Sequence, residues 1–194
     1  MELNPSNSAI PRHLPMHHVA SQLSAGNEYY TLEEKAFGHL VIRASFDDKK
    51  LLTAIKSVTG LKLPTKALSS TENKDYAMNW ISSDEVVLLV PEKTEFEVET
   101  KLRELMIGHF AIANVTGGQT VLELSGERAE TILKKSKSYD ISPSNFPIGK
   151  VVTTVFAKSQ AVIRRTGDNS FQLTIRRSFS DYVWKWIVDA GSRE

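Results

Sequence analysis

The chain has 194 residues, 41% hydrophobic and 24% charged, with a formal net charge of +1 and no cysteine. That length supports one domain or two small lobes, whose folding buries roughly 70% of the extended chain's surface. Near-zero net charge argues against a nucleic-acid binder; the lack of cysteine removes disulfides, thiolate catalysis, Cys-zinc sites and iron–sulfur ligation; and no apolar run approaches the roughly 18 residues of a membrane helix.

Residues 1–36 are predicted to form an extended arm. Pro5, Pro11 and Pro15 interrupt any helix, and Asn, Ser and His dominate. The run His13-Leu14-Pro15-Met16-His17-His18 has no acidic or Cys ligand at a spacing that closes a metal site, so it reads as part of the arm. No apolar leader stands at the start, and the expectation is a cytoplasmic protein.

Residues 37–116 are predicted as a first lobe. Leu40–Phe46 reads as a strand. Asp47 or Asp48 caps a helix carrying Leu51, Leu52, Ile55 and Val58 and stopping at Gly60. A polar loop runs to Asn73. Tyr76–Ile81 and Val86–Val90 read as strands around a Ser82-Ser83-Asp84 turn. Thr94 opens a helix with Phe96, Val98, Leu102, Leu105 and Met106, and Phe110–Val115 is a strand. Thr116-Gly117-Gly118-Gln119 reads as a two-residue hairpin, because both glycines accept positive φ; no Lys-Ser/Thr follows to make it a phosphate loop.

Residues 117–194 are predicted as a second lobe. It begins with the strand Thr120–Leu124. Ser125 is expected to cap a helix with Ala129, Ile132 and Leu133. Strands follow at Val151–Phe156, Ala161–Arg165 and Phe171–Ile175. A last helix is expected to start at Ser178, with Asp181 completing a capping box. Its apolar stripe is expected to be Phe179, Tyr182, Val183, Trp186, Ile187 and Ala190. Trp184 falls off that stripe. It packs either on a partner or against a loop of its own chain, and with Arg176 and Arg177 it forms the candidate subunit interface. The element order describes an α+β fold with two split β-α-β units.

Patterns for catalysis are missing: no G-x-S-x-G, H-E-x-x-H, G-x-G-x-x-G or P-loop is present. His39 and His109 stand at strand entrances, where a solvated or hydrogen-bonded imidazole is expected. Glu95, Glu97 and Glu99 spread around a helix as a solvated face. Arg164-Arg165 and Arg176-Arg177 are basic pairs suited either to clamping an anion or to surface ion pairing. No catalytic, cofactor-binding or metal-binding residue is assigned.

Several segments resemble the gamma subunit of heterotetrameric sarcosine oxidase. They are Val121–Ala129, Asp140-Ile141 with Phe146–Gly149, and above all Ile175–Trp186; Gly60–Pro64 and Trp80–Glu85 are similar to two first-half segments. Ser82-Ser83 and Val86 depart from the family's usual Gly-Pro and Trp. The resemblance implies a fold like the folate-binding domain of the aminomethyltransferase or T-protein type. It implies a non-catalytic subunit of a complex that oxidatively demethylates sarcosine to glycine, forming 5,10-methylenetetrahydrofolate and hydrogen peroxide. FAD, FMN, NAD, tetrahydrofolate and zinc are then expected in the alpha, beta and delta subunits, and none in this chain. The alternatives are a stand-alone folate-binding protein of the same fold and an unrelated α+β interaction module.

Overall fold

The computed structural model describes residues 14–17, 26–136 and 138–192. In chain order the first elements are β1 (Gly26–Asn27), β2 (Tyr30–Lys35), β3 (Phe37–Ala44), α1 (Lys49–Thr59), β4 (Ser70–Glu72), β5 (Ala77–Ser82) and β6 (Glu85–Pro91). Then come α2 (Glu95–Leu105), β7 (Phe110–Asn114), β8 (Gln119–Ser125), α3 (Ala129–Lys134), β9 (Val151–Phe156), β10 (Ser159–Gly167) and β11 (Ser170–Arg176). A 3-10 turn at Arg177–Phe179 leads into α4 (Ser180–Ser192). Among the described residues the chain forms two compact units, dividing at 36/37 and 117/118.

Unit 1 is a five-stranded sheet in the order β4-β5-β6-β3-β7, with antiparallel neighbours throughout. Strands β3 and β5 therefore run parallel with β6 between them, and α1 connects them. Strands β6 and β7 run parallel with β3 between them, and α2 connects them. These are two split β-α-β units. Alternation along the strands sends Leu40, Ile42, Val86, Leu88 and Val90 to one face, where they pack with Leu51, Ile55, Val98 and Leu102 of the helices. The Asp48 carboxylate caps α1 by accepting from the Lys50 amide at 2.8 Å, and Gly60 ends the helix at φ 73°.

The loop expected from Leu61 to Asn73 contains β4, which pairs with β5 through Ser70↔Asn79. Ser-Thr-Glu has no apolar alternation, so this edge strand is made by backbone pairing, with the Thr71 hydroxyl donating to the Lys62 carbonyl at 2.7 Å. Asn73 builds its turn: the side-chain oxygen accepts from the Asp75 and Tyr76 amides at 3.0 and 2.9 Å, and its amide donates to the Thr59 carbonyl at 2.8 Å.

Unit 2 is a six-stranded antiparallel sheet in the order β1-β2-β8-β11-β10-β9. Its core gathers Leu122, Leu124, Ile163, Phe171, Leu173 and Phe156 from the strands with Ile132, Leu133 and Ile187 from the helices. The boundary of the arm is corrected here. Gly26–Lys35 is sheet, with β2 paired along β8 from Thr31↔Ser125 to Lys35↔Val121. Tyr30 and Leu32 point into the core, as does Met16, whose amide donates to the Glu34 carboxylate at 3.0 Å. Two buried side chains in a six-residue strand are too few to register as a period. Residues 1–13 and 18–25, with His13 and His18 of the histidine run, lie outside the described residues.

Three local expectations are also corrected. Thr116-Gly117-Gly118-Gln119 is not a hairpin: β7 pairs with β3 in one sheet and β8 with β2 and β11 in the other. The segment is the connection between sheets, turned by the Asn114 side chain accepting from the Thr116 amide at 3.1 Å, with Gly117 at φ 88°. Ser125 is not a cap but the end of β8, its hydroxyl 2.7 Å from that of Thr31. Ser178 is not a cap either, because a 3-10 turn intervenes. The Ser180 hydroxyl donates to the Arg177 carbonyl at 2.7 Å, and Asp181 pairs with Lys185 at 2.8 Å.

Candidate functional site

The C-terminal helix decides where the candidate interface residues lie. Its buried positions are Ser180, Val183, Trp184, Ile187, Ala190 and Gly191. This stripe shares Val183, Ile187 and Ala190 with the expected one but is rotated toward Trp184. Trp184 is 3% exposed and belongs to the core of unit 2, which corrects its placement off the stripe. Trp186 is half-buried and meets Phe156 edge-on at 4.9 Å, whereas Phe179 and Tyr182 are each 38% exposed. The rotation has a steric cause. A Cβ at Gly191 would lie 2.4 Å from the Tyr30 ring, so only glycine lets this side of α4 settle on β2. Gly191 is seven residues from Trp184, on the same face.

The two arginine pairs part ways. Arg165 is buried and engaged through both terminal nitrogens: it meets Glu130 at 2.6 Å, donates to the carbonyls of Asp168 and Ile141 at 2.6 and 3.0 Å, and stacks over Phe171 at 4.7 Å. Burial works to raise the Glu130 carboxyl, but hydrogen bonds from Lys134 and Arg165 outweigh it and hold that group below the usual range. This arginine pins the loop carrying Ile141 and the fully buried Phe146, so it is a structural strut rather than an anion clamp. Arg164 is buried too. Arg176 and Arg177, by contrast, are exposed, and the Arg177 amide donates to the Gly118 carbonyl at 3.0 Å.

Neither histidine at a strand entrance forms a catalytic pair in the structure. His39 is 2% exposed, which removes the solvated one of the two expected alternatives, and burial pushes its pKa down to about 4 against upward pulls from a Phe37 backbone hydrogen bond and the Glu95 carboxylate. At neutral pH it is uncharged. Glu95 is buried as well, packed so tightly on β3 that a Cβ at Gly38 would lie 2.8 Å from its own. Glu97 does keep to the solvated face, paired with Lys101 at 2.6 Å, whereas Glu99, paired with Arg103 at 2.8 Å, is half-buried. Among the described residues no group of three His, Asp or Glu side chains is arranged to hold a metal.

Sequence reasoning missed one concavity. A cleft of ≈ 820 Å³ opens at the end of unit 1 where β3 leaves, the β5–β6 turn stands and β7 enters. Arg43, Phe46, Trp80, Asp84, His109 and Phe110 line it. Arg43 is engaged with Glu85 at 2.5 Å, and the Ser82 hydroxyl donates to Asp84 at 2.6 Å, holding that carboxyl below its ordinary value. In the sequence its lining residues read only as separate strand ends, the Ser82-Ser83-Asp84 turn and the histidine His109 at a strand entrance, with nothing to bring them together.

The family model for the sarcosine oxidase gamma subunit family matches residues 40–193. A sarcosine oxidase subunit gamma from Corynebacterium sp. (strain P-1) is 28% identical over 188 residues, covering 95% of this chain and 92% of that protein. The one from strain U-96 is 27% identical over 186 residues. In the solved heterotetrameric sarcosine oxidase from Corynebacterium sp. U-96 in complex with pyrrole 2-carboxylate, a chain superposes with a TM-score of 0.84 at 27% identity, over 93% of this chain and 95% of that one. The glycine cleavage system aminomethyltransferase T from Bartonella henselae shares the fold alone, with a TM-score of 0.68 at 9% identity over 90% of this chain and 56% of that one. With most of its length matched, including the segment Ile175–Trp186, the chain belongs to the sarcosine oxidase gamma subunit family.

Proposed function

We propose that this chain is the non-catalytic gamma subunit of a heterotetrameric sarcosine oxidase. The observation that carries the reading is the match along nearly the whole chain to a chain of a solved heterotetrameric sarcosine oxidase. The chemistry within the units supports it. Buried ionisable groups are spent on packing: Arg165 and Glu130 hold the loop of Ile141, and His39 and Glu95 sit inside unit 1. In this reading the complex converts sarcosine, tetrahydrofolate and oxygen to glycine, 5,10-methylenetetrahydrofolate and hydrogen peroxide. FAD, FMN, NAD, the folate site and zinc reside in the alpha, beta and delta subunits. The gamma chain contributes to assembly. No helix of the described residues is long and apolar enough to cross a membrane, which accords with assembly in the cytoplasm.

Reconstitution tests this directly. The chain is purified alone and with co-expressed alpha, beta and delta subunits, and sarcosine-dependent peroxide production is measured in both. Activity is expected only in the complex, with the gamma chain present in the active fraction. Sarcosine oxidation by the chain alone would overturn the reading. So would calorimetric titration showing tight tetrahydrofolate binding to the isolated chain, which would make it a stand-alone folate-binding protein.

A further inference from the structure

The rotation of α4 leaves an aromatic ridge outside the core. Phe179, Tyr182 and Trp186 follow at i, i+3 and i+7, on a flank of the helix away from the line through Ser180, Trp184 and Gly191. Phe179 and Tyr182 are each 38% exposed, and Trp186 gives only part of its surface to Phe156. Arg176 and Arg177 directly precede the ridge, both exposed, and neither guanidinium meets a carboxylate among the described residues. Core packing therefore leaves part of each of these aromatics in water, where the uncovered ring carries apolar area that a partner could remove. Aromatics beside arginine are the composition of interface hot spots.

We infer that this ridge is the docking element of the chain, and that its occupant is an apolar groove with an acidic rim on another subunit of the heterotetramer. The inference rests on the assembly reading above. The charge of the patch selects the occupant: two guanidinium groups at one end, with no carboxylate partner among the described residues, favour carboxylates opposite them. The same charge argues against a second copy of this chain. A two-fold interface sets a patch against itself, which would bring four arginines of like charge together. The expected interface residue Trp184 is thus replaced by Phe179 and Tyr182, while Arg176 and Arg177 remain.

The test uses the full chain co-expressed with the alpha, beta and delta subunits, with capture through a tag on alpha. Two double variants are compared with wild type: Phe179→Ala with Tyr182→Ala, and Arg176→Glu with Arg177→Glu. Both are expected to bind the other subunits roughly thirtyfold or more weakly, as loss of hot-spot residues does. Melting temperatures of the isolated variants should match wild type. Should the aromatic variant melt early, the arginine variant decides alone, because its side chains support no core contact. Assembly of the arginine variant at wild-type affinity overturns the inference. Concentration-dependent self-association of the wild-type chain that both variants abolish also overturns it, assigning the ridge to a second copy. Failure of wild type itself to assemble sinks the assembly reading instead.

Discussion

The two units solve the same problem with different economies of chain. Unit 1 is continuous from Phe37 to Gly117, and two eleven-residue helices cover one face of its sheet. Unit 2 must collect its parts. Its sheet takes β2 from before unit 1, its longest helix comes from the C-terminal end, and α3 has only six residues. The gap is filled by the loop of Ile141 and Phe146, held by Arg165. Local crossovers stabilise the first unit, whereas long-range closure and a half-buried ion pair stabilise the second. The contrast teaches that a unit with short helices must fix its loops with specific hydrogen bonds, and each of those is costly to lose.

Deleting residues 1–36 should have the largest effect. It removes Met16, Tyr30 and Leu32 from the core of unit 2 and exposes the edge of β8. Hydrogen exchange should show amides of β8 and β11 losing protection while those of β3 and β6 keep it; uniform protection would erase the contrast.

Next comes Trp184→Ala, expected to cost about 3–5 kcal/mol in urea unfolding, whereas Trp186→Ala costs roughly 1–2. Trp184→Phe should cost less than Trp184→Ala, because the indole N–H is buried without an acceptor among the described residues. Equal losses at the two tryptophans would place the helix in the other rotation.

Unit 1 has its own sensitivity, to acid. The folded state keeps His39 neutral down to a pKa of about 4, while the unfolded chain takes up a proton near 6.5. The unfolded state therefore binds the proton first. Stability conferred by the neutral imidazole is intact above pH 6.5 and falls as pH drops toward about 4, by on the order of 3 kcal/mol. His39→Gln should flatten that slope in stability measured between pH 7 and pH 4. Smallest is Asp48→Ala, which removes the cap of α1 and should cost about 1 kcal/mol in the same unfolding assay.

Legibility followed the strength of local signals. The long strands β3, β6 and β11 and the helices α1 and α2 carry several apolar positions each, and all were readable from periodicity. Strand β4 was not, because Ser70, Thr71 and Glu72 are placed by pairing with β5 and by the turn of Asn73. Strand β2 was hidden in a Pro- and His-containing stretch. The helix α4 was readable as a helix but ambiguous in rotation, since two apolar stripes share Val183, Ile187 and Ala190. The deciding residue, Gly191, matters through Tyr30, which is distant in sequence. Within the candidate interface, exposure of Arg176 and Arg177 was legible because they end a strand, whereas the burial of Arg165 depended on Glu130 and Ile141, invisible to local pattern.

The fit of Gly191 against Tyr30 also sets a timetable. The two residues are 161 positions apart (191 minus 30), and the contact closes only when the last helix is available. During synthesis at roughly 5–20 residues per second, Tyr30 waits about 8–30 s after its own translation for that partner. Once residue 125 has been made, unit 1 and β8 are both available, and β2 still lacks α4. From then on the nascent chain carries a β2–β8 pair whose helix cover has yet to be made, and its protection from misassembly rests on how quickly the last turn of α4 becomes available.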